Sequence, residues 1–380
     1  MKVTMRTWSP ATGWQGEPGA TDSALVLIFG GVGSTNLQPP VAALRSAYPN
    51  AQIAGCTTAG QIINTEVTDE HLVAAVIHLE HSRVQTATVT IKDHACGQSV
   101  GQTLAKQLPV DELRHVLVFS DGLQINGSDL ANGMASQLPD GVPMTGGLAA
   151  DGSDFGTTQV ICNDQIGPGI VCCIGFYGDR LSTGYGSLGG WDVFGPDRVI
   201  TRSSGNVLYE LDGKCALDIY KDYLGEYAKD LPGSGLLFPL NIETAAGNER
   251  VVRTILGVSE DEQSMTFAGD IPEGARAQLM RANFDRLIDG ATGAAKVCQE
   301  QTAGAEPWEF GLLISCVGRR MVLKQRVEEE LEGVEEILGQ NTPLAGFYSY
   351  GELAPFHRGD SCRLHNQTMT ITTFSEAERA

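Results

Sequence analysis

The sequence predicts an α/β protein with two domains, in which mixed β-sheets are flanked by helices. Continuous apolar runs of strand length, such as ALVLIF at 24–29 and HVLVF at 115–119, end in glycine or small polar residues. Segments with helical spacing follow several of these runs, which is typical of strand–helix–strand units. The chain has 380 residues, and because a domain has about 100–200 residues, this length indicates more than one domain.

The first half of the chain alternates predicted strands and helices. The turn GGVG at 30–33 is predicted to connect the first strand tightly to the first helix, with Ser34, Thr35 and Asn36 as N-cap candidates. Ser128 is the predicted N-cap of the third helix. We predict strands at 24–29, 52–54, 72–79, 84–91 and 115–119, and helices at 39–48, 96–108 and 129–138.

The second half is predicted to contain more hairpins. Glycine-rich segments at 143–190 favour hairpins, and the passage KDLPGSGLL at 229–237 favours a domain boundary. Asp270 is the predicted N-cap of a long helix at 272–297. The other predicted helices are 216–228 and 321–338, and the other predicted strands are 250–256, 310–317, 344–349 and 362–374.

Charge and composition exclude several classes of protein. The 46 acidic and 26 basic residues give a net charge of −20, which disfavours binding to nucleic acid or to an anionic membrane surface. No segment approaches the roughly 20 apolar residues that span a bilayer, and no signal-peptide pattern opens the chain, so we expect a cytoplasmic protein. The nine cysteines include no C-x-x-C pair, which favours free thiols over a zinc ribbon or a covalently attached haem.

The common catalytic motifs are absent from the sequence. There is no phosphate-binding G-x-x-x-x-G-K-[ST], no G-x-S-x-G and no H-E-x-x-H, and we expect a non-catalytic protein. The loop GCTTAG at 55–60 places Cys56 and Thr57 between glycines, where backbone N–H groups can converge on a ligand. Ligand contact or loop packing is the favoured interpretation, and an enzyme that uses Cys56 as its nucleophile stays as an alternative.

Two C-terminal segments carry the other candidate binding residues. The segment GFYSYGELAP at 346–355 ends a predicted strand with aromatic, hydroxyl and carboxylate groups. The segment LHNQT at 364–368 opens the last predicted strand, which would place alternate residues on one face. The candidates in the first segment are Tyr348, Ser349, Tyr350, Gly351 and Glu352. The candidates in the second are Arg363, His365 and Asn366, and the predicted shared face is Arg363, His365, Gln367, Met369 and Ile371.

Together these segments resemble the FIST family of bacterial sensory proteins. The matching segments, in order, are GCTTAG at 55–60, FSDGL at 119–123, TGGLAADG at 145–152, GYGSLGGWDVFGP at 184–196, GFYSYGELAP at 346–355 and LHNQT at 364–368. The resemblance implies an N-terminal FIST domain at 24–222 and a C-terminal FIST domain at 223–375. It also implies a non-catalytic sensor of small ligands that acts with signal-transduction proteins. The chain has no recognisable kinase, GGDEF or methyl-accepting segment, so the resemblance implies that its output passes to a separate partner.

The stand-alone, nitric-oxide-sensing branch of the family (NosP type) implies further expectations. That branch binds haem and regulates a histidine kinase or a cyclic-di-GMP enzyme. We therefore expect haem b with His365 as the iron ligand, His357 as the next candidate, and Arg363 beside a propionate. A homodimer is a further expectation. The alternative is a sensor without haem, whose ligand is an amino acid or a similar metabolite held by backbone N–H groups and Glu352.

Overall fold

The computed structural model describes residues 1–31, 36–243, 249–301 and 308–376. These residues form a body of three similar α/β units, with a smaller β-rich module inserted in the third unit. The mixed α/β class with sheets flanked by helices is the one that the sequence predicted. No helix in the described ranges is long and apolar enough to cross a membrane.

The first unit has a parallel strand pair joined by a helix. Its elements are β1 (Lys2–Ser9), β2 (Gly13–Gln15), β3 (Leu25–Phe29), α1 (Gln38–Ala47), β4 (Gln52–Cys56), β5 (Gln61–Ile63), β6 (Glu66–Thr68) and β7 (Leu72–His78). Strand β3 lies parallel to β4 and antiparallel to β7, and β1 pairs with the other edge of β7. The predicted turn and cap at Val32–Gly33 and Ser34–Thr35 lie outside the described residues, and the Asn36 side chain accepts a hydrogen bond from Gln38 N.

The second unit repeats the same arrangement. Its elements are β8 (Arg83–Thr90), a 3-10 turn (Ile91–Asp93), α2 (Gly97–Ala105), β9 (Leu113–Ser120), α3 (Gly127–Ala135), β10 (Met144–Leu148), β11 (Val160–Cys162), β12 (Gln165–Gly167) and β13 (Ile170–Tyr177). Strand β9 is parallel to β10 and antiparallel to β13, whose other edge pairs with β8. Helix α3 is capped by Asn126, whose Oδ1 accepts from Ser128 N at 2.9 Å, so the prediction of Ser128 as the cap was wrong by two residues.

The inserted module begins after the first strand of the third unit. That strand is β14 (Leu181–Leu188). The module comprises β15 (Asp192–Ser204), β16 (Val207–Leu211), β17 (Lys214–Cys215), α4 (Ala216–Leu224), 3-10 turns (Gly225–Asp230 and Gly233–Leu237), β18 (Leu240–Glu243), β19 (Arg250–Arg253), β20 (Ile255–Ser259), β21 (Ser264–Phe267) and β22 (Arg276–Arg281). Its eight-stranded sheet shares no strand with the sheets of the body.

The third unit then continues in the pattern of the first two. Its remaining elements are α5 (Phe284–Glu300), β23 (Phe310–Cys316), α6 (Val317–Leu323), a 3-10 turn (Lys324–Arg326), α7 (Val327–Leu338), β24 (Leu344–Ser349), β25 (Gly351–Pro355), β26 (Cys362–His365) and β27 (Met369–Glu376). Strand β23 is parallel to β24 and antiparallel to β27, whose other edge pairs with β14.

The three units interlock in a closed ring, because each gives a hairpin to the sheet of another. The β5–β6 hairpin pairs with β24, the β11–β12 hairpin with β4, and the β25–β26 hairpin with β10. In each case the hairpin pairs antiparallel with the second strand of the other unit's parallel pair. The body therefore has approximate threefold symmetry, and its sheets combine strands from both predicted domains. The boundary between 24–222 and 223–375 remains a prediction.

Glycines at equivalent positions allow the close approach of the parallel strands in each unit. A Cβ atom at Gly55, Gly146 or Gly346 would lie 1.7, 2.0 or 1.8 Å from the carbonyl oxygen of the facing residue on the first strand. Such contacts are far below van der Waals separation, so only glycine is accommodated. The centre of the ring is filled by Phe29, Phe119 and Phe347, whose ring centroids are 5.0–6.0 Å apart.

Several predicted elements differ in the structure. The strand at 250–256 is divided into β19 and β20, and the helix at 321–338 is interrupted by the 3-10 turn Lys324–Arg326. The helix at 272–297 is instead the strand β22 followed by α5, because 276–281 completes the sheet of the inserted module between β15 and β18. The cap of α5 is Asn283, whose Oδ1 accepts from Arg286 N, and Asp270 lies outside the helix. By contrast, the apolar runs at 24–29, 72–79, 115–119, 310–317 and 344–349 form strands within a residue or two of the predicted bounds.

The last predicted strand, 362–374, is two strands of different sheets. Strand β26 pairs with β25, and β27 pairs with β14 and β23. The backbone turns between them, where Gln367 has a φ of 64°, in the left-handed region. Alternation cannot pass through this turn, so the predicted common face from Arg363 to Ile371 does not exist.

Candidate functional site

The inserted module packs on the second and third units around helix α3 and strand β26. Hydrogen bonds across this contact include those from Asn126 Nδ2 to Asp270 Oδ1 at 2.7 Å, from Arg253 Nη1 to Leu364 O at 3.1 Å, and from Gln367 Nε2 to Leu236 O at 3.1 Å. Two cavities lie along it, and both are lined by residues from the module and from the body.

The first cavity, of about 120 Å³, contains two cationic and two anionic side chains, and we call it the charged cavity. The module supplies Arg253, Glu243 and Asp270, and β26 supplies Arg363. Polar groups from the first two turns of α3 complete the wall. The lining residues are Ser128, Asn132, Glu243, Val251, Arg253, Asp270, Pro272, Arg363 and Leu364.

Arg253 is the most unusual group of the charged cavity. Its side chain is 6% exposed, and its guanidinium donates to three backbone carbonyls, those of Val252, Leu364 and Asp270, at 3.1–3.3 Å. Burial lowers its pKa to about 10; the Asp270 carboxylate opposes this shift and the neighbouring Arg363 adds to it. Within the described ranges, no carboxylate lies within ion-pair distance of Arg253. A buried cation without a paired anion is costly, which favours an anionic group in the cavity.

The acidic side of the charged cavity is built around Asp270. Asn126 caps helix α3 with its Oδ1 atom and uses its Nδ2 atom to hold the Asp270 carboxylate. Asp129, in the first turn of the helix, has a raised pKa because of burial and then because of the charge of Asp270. An added cation nearby would favour the ionised form of Asp129.

The second cavity is larger, about 350 Å³, and no Asp, Glu, Lys, Arg or His lines it. We call it the uncharged cavity. One wall is the loop after β9 together with Leu148 and Tyr350 of the body, and the other wall belongs to the module. Its lining residues are Gly122, Leu123, Gln124, Ile125, Asn126, Leu148, Asn206, Leu256, Thr266, Phe267, Ala268 and Tyr350.

Glu352, predicted as a ligand contact, is buried and engaged by its neighbours. Its Oε1 accepts from Ser349 Oγ at 2.6 Å, and its Oε2 accepts from Thr368 Oγ1 at 2.9 Å and Thr368 N at 3.2 Å. Burial raises its pKa to about 8, although these hydrogen bonds act in the opposite direction. Glu352 and Ser349 line neither cavity; they tie the β24–β25 corner to the start of β27.

The two predicted tyrosines have different surroundings. The Tyr348 hydroxyl donates to Glu330 Oε1 at 2.7 Å, inside the body. The Tyr350 hydroxyl donates to the Asp151 carboxylate, and its ring stacks on Phe155 with centroids 4.6 Å apart. Of the residues predicted in the segment 348–352, only Tyr350 lines one of the two cavities. Gly351 is buried, and a Cβ there would lie 2.9–3.0 Å from Leu364 and Leu148.

The loop at 55–60 contacts the candidate segment at 348–350 through its backbone. Ala59 N donates to Tyr348 O at 2.8 Å, and Tyr348 N donates to Gly60 O at 2.9 Å. Cys56 is fully buried among apolar side chains, and burial raises the pKa of its thiol, which disfavours the nucleophilic thiolate. Thr57 is also buried, and its Oγ1 accepts from Gln159 N at 2.9 Å. These contacts are those of a packed loop.

The surroundings of His365 do not fit a haem. Its ring is 4% exposed and lies against Phe356 with centroids 4.6 Å apart, and Nε2 is within 3.0 Å of Ala354 O. Burial lowers its pKa to about 4; the hydrogen bond to Ala354 opposes this shift, and Arg253 and Arg363 add to it. His365 lines neither cavity, and iron would have to replace the Nε2 contact. The neighbouring Asn366 amide is buried without a partner in the described residues.

His357, the second histidine candidate, lies on the surface. It is exposed, and its ligand atoms lie within 4.8 Å of those of Glu249 and Asp360. Exposed groups of this kind are common without an ion.

Sequence reasoning missed the residues that line the charged cavity, with the exception of Arg363. Arg253 was predicted only as part of the strand at 250–256, and Asp270 only as a helix cap. The signal that was available is RVVRTIL at 250–256, in which an arginine interrupts an otherwise apolar run. A buried arginine in a strand needs a partner, and that requirement alone would have made Arg253 a candidate.

Comparison with known sequences identifies the family. The family model of the FIST N domain matches residues 24–214, which is half of the chain, and that of the FIST C domain matches residues 216–355. The chain belongs to the FIST family. FIST domains are sensor domains of signal transduction. An uncharacterized protein of Methanocaldococcus jannaschii is 24% identical over 370 residues, which cover 85% of this chain and 67% of that protein.

Among solved structures, a cyanuric acid hydrolase aligns with 99% of this chain and 99% of its own at 9% identity, with a TM-score of 0.33. A likeness at this level carries no argument about the FIST protein.

Proposed function

We propose that this FIST protein senses a small zwitterionic metabolite, an amino acid or a similar molecule, that binds in the charged cavity. The observation that carries the proposal is Arg253, a buried cation with no ion-paired carboxylate in the described residues, in a cavity that also holds acidic groups. A ligand carboxylate would accept hydrogen bonds from Arg253 and Arg363. A ligand ammonium would donate to Asp270 and Glu243.

The size and charge of the cavity support a small zwitterion over a polyanion. A dry cavity of about 150 Å³ binds benzene, so about 120 Å³ accommodates only a small molecule or the head group of a larger one. The two carboxylates would repel a phosphate-rich ligand, whereas they complement an ammonium group. A ligand with one carboxylate and an adjacent ammonium group would complement both the cationic and the anionic side chains of the cavity.

The position of the cavity supports a sensory role. Glu243, Arg253 and Asp270 belong to the inserted module and Arg363 to the body, so one ligand would hold both parts. A ligand shifts a conformational equilibrium only by its difference in affinity between the two states. Binding would favour the arrangement in which module and body are closed on each other, and a separate partner would read that change. The histidine kinase or cyclic-di-GMP enzyme implied by the family resemblance remains our proposal for that partner, and a homodimer remains a prediction.

A thermal-shift panel tests the proposal. Amino acids should raise the melting temperature, because a ligand at 100 times its Kd adds about 2.7 kcal/mol of stability. The matching amine without a carboxylate and the matching acid without an amine should have much smaller effects. Arg253→Met should abolish the rise, and Arg281→Met, an exposed arginine of the same module, should preserve it.

Two results of the panel would contradict the proposal: no rise with any amino acid, or an equal rise in the Arg253→Met variant.

Haem binding and nitric oxide sensing, which the family resemblance implies, can be tested on the same protein preparation. The surroundings of His365 disfavour iron ligation, so we expect no Soret band after incubation with haem and removal of the excess. A stoichiometric Soret band that is lost in His365→Ala would overturn this expectation and restore the haem sensor.

A further inference from the structure

The uncharged cavity lies beside the charged one and has a different chemistry. Its volume of about 350 Å³ falls within the range of small-molecule sites, roughly 300–1,000 Å³. No carboxylate, ammonium or guanidinium lines it. A charged ligand would lose its hydration there without gaining a partner, which is unfavourable.

The walls of the uncharged cavity are apolar side chains with ring faces. Leu123 and Ile125 come from the loop after β9, and Leu256 comes from the module; all three are only partly buried. The Tyr350 ring contributes aromatic surface, whereas the Phe267 side chain is fully buried in the core of the module. The Tyr350 hydroxyl is already bonded to Asp151, so it is the ring of this residue that is available to a ligand. Such walls suit a flat apolar molecule.

A few polar side chains at the cavity could orient a ligand through hydrogen bonds. Asn206 is held by its Nδ2 bond to Phe267 O at 2.7 Å, and Asn126 is held by its bonds to Ser128 and Asp270. The side chains of Gln124 and Thr266 make no hydrogen bond within the described parts of the chain. They are therefore able to bond a polar atom on a ligand that enters the cavity.

We propose that the uncharged cavity is a second binding site, which takes a neutral molecule of one or two rings with a single polar atom. The module and the loop after β9 form opposite walls of this site, so an occupant would hold the two together. The proposal does not depend on the zwitterion in the charged cavity, because the two cavities differ in charge and are lined by different residues, of which none is shared.

Indole is a suitable probe because it is uncharged, flat and has one N–H donor. Ligand-observed NMR and calorimetry should show indole binding to the wild type, with an affinity at least 10-fold higher than that of indole-3-acetate at this site. Leu256→Trp fills the cavity from a half-exposed position and should reduce indole affinity at least 10-fold. Val110→Trp, at a position 58% exposed on the body, is the matched control and should bind as the wild type does.

A second variant guards against a folding defect in the first. Leu123→Trp fills the same cavity from the opposite wall and should have the same effect. The proposal is overturned if the wild type binds no indole up to its solubility limit. It is also overturned if folded Leu256→Trp and Leu123→Trp proteins both bind indole as tightly as the wild type does.

Discussion

Two buried arginines of this protein differ in their hydrogen-bond partners. Arg319, in the body, is fully buried and pairs with the fully buried Glu330 through Nε at 3.1 Å and Nη2 at 2.7 Å. Its other donors reach the carbonyls of Gly189 and Leu287. Arg253, at the contact between module and body, has backbone carbonyls as its partners and no ion-paired carboxylate in the described ranges.

The difference between these arginines distinguishes a fold contact from a binding site. Glu330 completes its own bonds with the Tyr348 hydroxyl at 2.7 Å and Ser315 Oγ at 3.2 Å, so the cluster around Arg319 is closed. The cluster around Arg253 has no ion-paired carboxylate in the described ranges and borders a cavity. A closed set of charges stabilises one arrangement of the chain, whereas an incomplete set gains from a ligand that completes it.

The largest expected effect on stability comes from removing the carboxylate that pairs with Arg319. Glu330→Gln should lower the free energy of unfolding by about 3–5 kcal/mol, because Arg319 would stay buried without its counter-charge. Urea denaturation of the variant and of Glu332→Gln, an exposed glutamate on the same helix, measures the difference. A loss below about 1 kcal/mol would show that the Arg319 cluster is not the closed, stabilising set described here.

Glu352 provides a test of a buried acid whose bonds are also complete. Its pKa is raised from 4.5 to about 8, so the folded state holds a proton that the unfolded state has released between these pH values. Its contribution is therefore fully present below pH 4.5 and is lost as pH rises towards 8, by about 3–5 kcal/mol in total. Glu352→Gln resembles the protonated form and should remove this part of the pH dependence.

Denaturation of the wild type and Glu352→Gln at several pH values isolates the contribution of Glu352, because the other ionisable groups, such as His365, are present in both proteins. The stability advantage of the variant should grow from pH 5 to pH 9. An advantage that stays constant over this range would contradict a protonated Glu352.

Arg253→Met should have a smaller effect on the ligand-free protein. The variant loses hydrogen bonds to carbonyls, which destabilises it, but it no longer buries an unpaired charge, which stabilises it. The loss and the gain offset each other to within about 2 kcal/mol. A loss of stability as large as that of Glu330→Gln would place Arg253 among the fold contacts and remove the contrast between the two arginines.

The smallest expected effect is that of Cys56→Ala on binding. The thiol is buried in an apolar cluster and lines neither cavity, so its removal should cost about 1 kcal/mol of stability and leave ligand affinity unchanged. Calorimetry on the folded variant checks this. A complete loss of binding would bring back the role of Cys56 in ligand contact or catalysis.

The sequence predicted the elements that depend on local pattern. The apolar runs at 24–29 and 310–317 are strands because both of their faces are buried, a condition that leaves a clear signature. The prediction of a helix at 272–297 was wrong in its first part. The segment 276–281 continues the helical spacing by coincidence, but it has strand conformation because it pairs with neighbouring strands of the sheet. The three interlocked hairpins and the charged cavity join residues that are far apart: Asn126 and Asp270 are 144 positions apart, and Arg253 and Leu364 are 111. No local pattern reports such contacts.

Isothermal titration of the amino acid that gives the largest thermal shift is the most direct test of the central claim. We expect one site per chain in the wild type, at least a 100-fold loss of affinity in Arg253→Met, and wild-type affinity in Arg281→Met. Binding of the same strength in folded Arg253→Met and wild type would contradict the claim that the incomplete charge set around Arg253 is the sensor site.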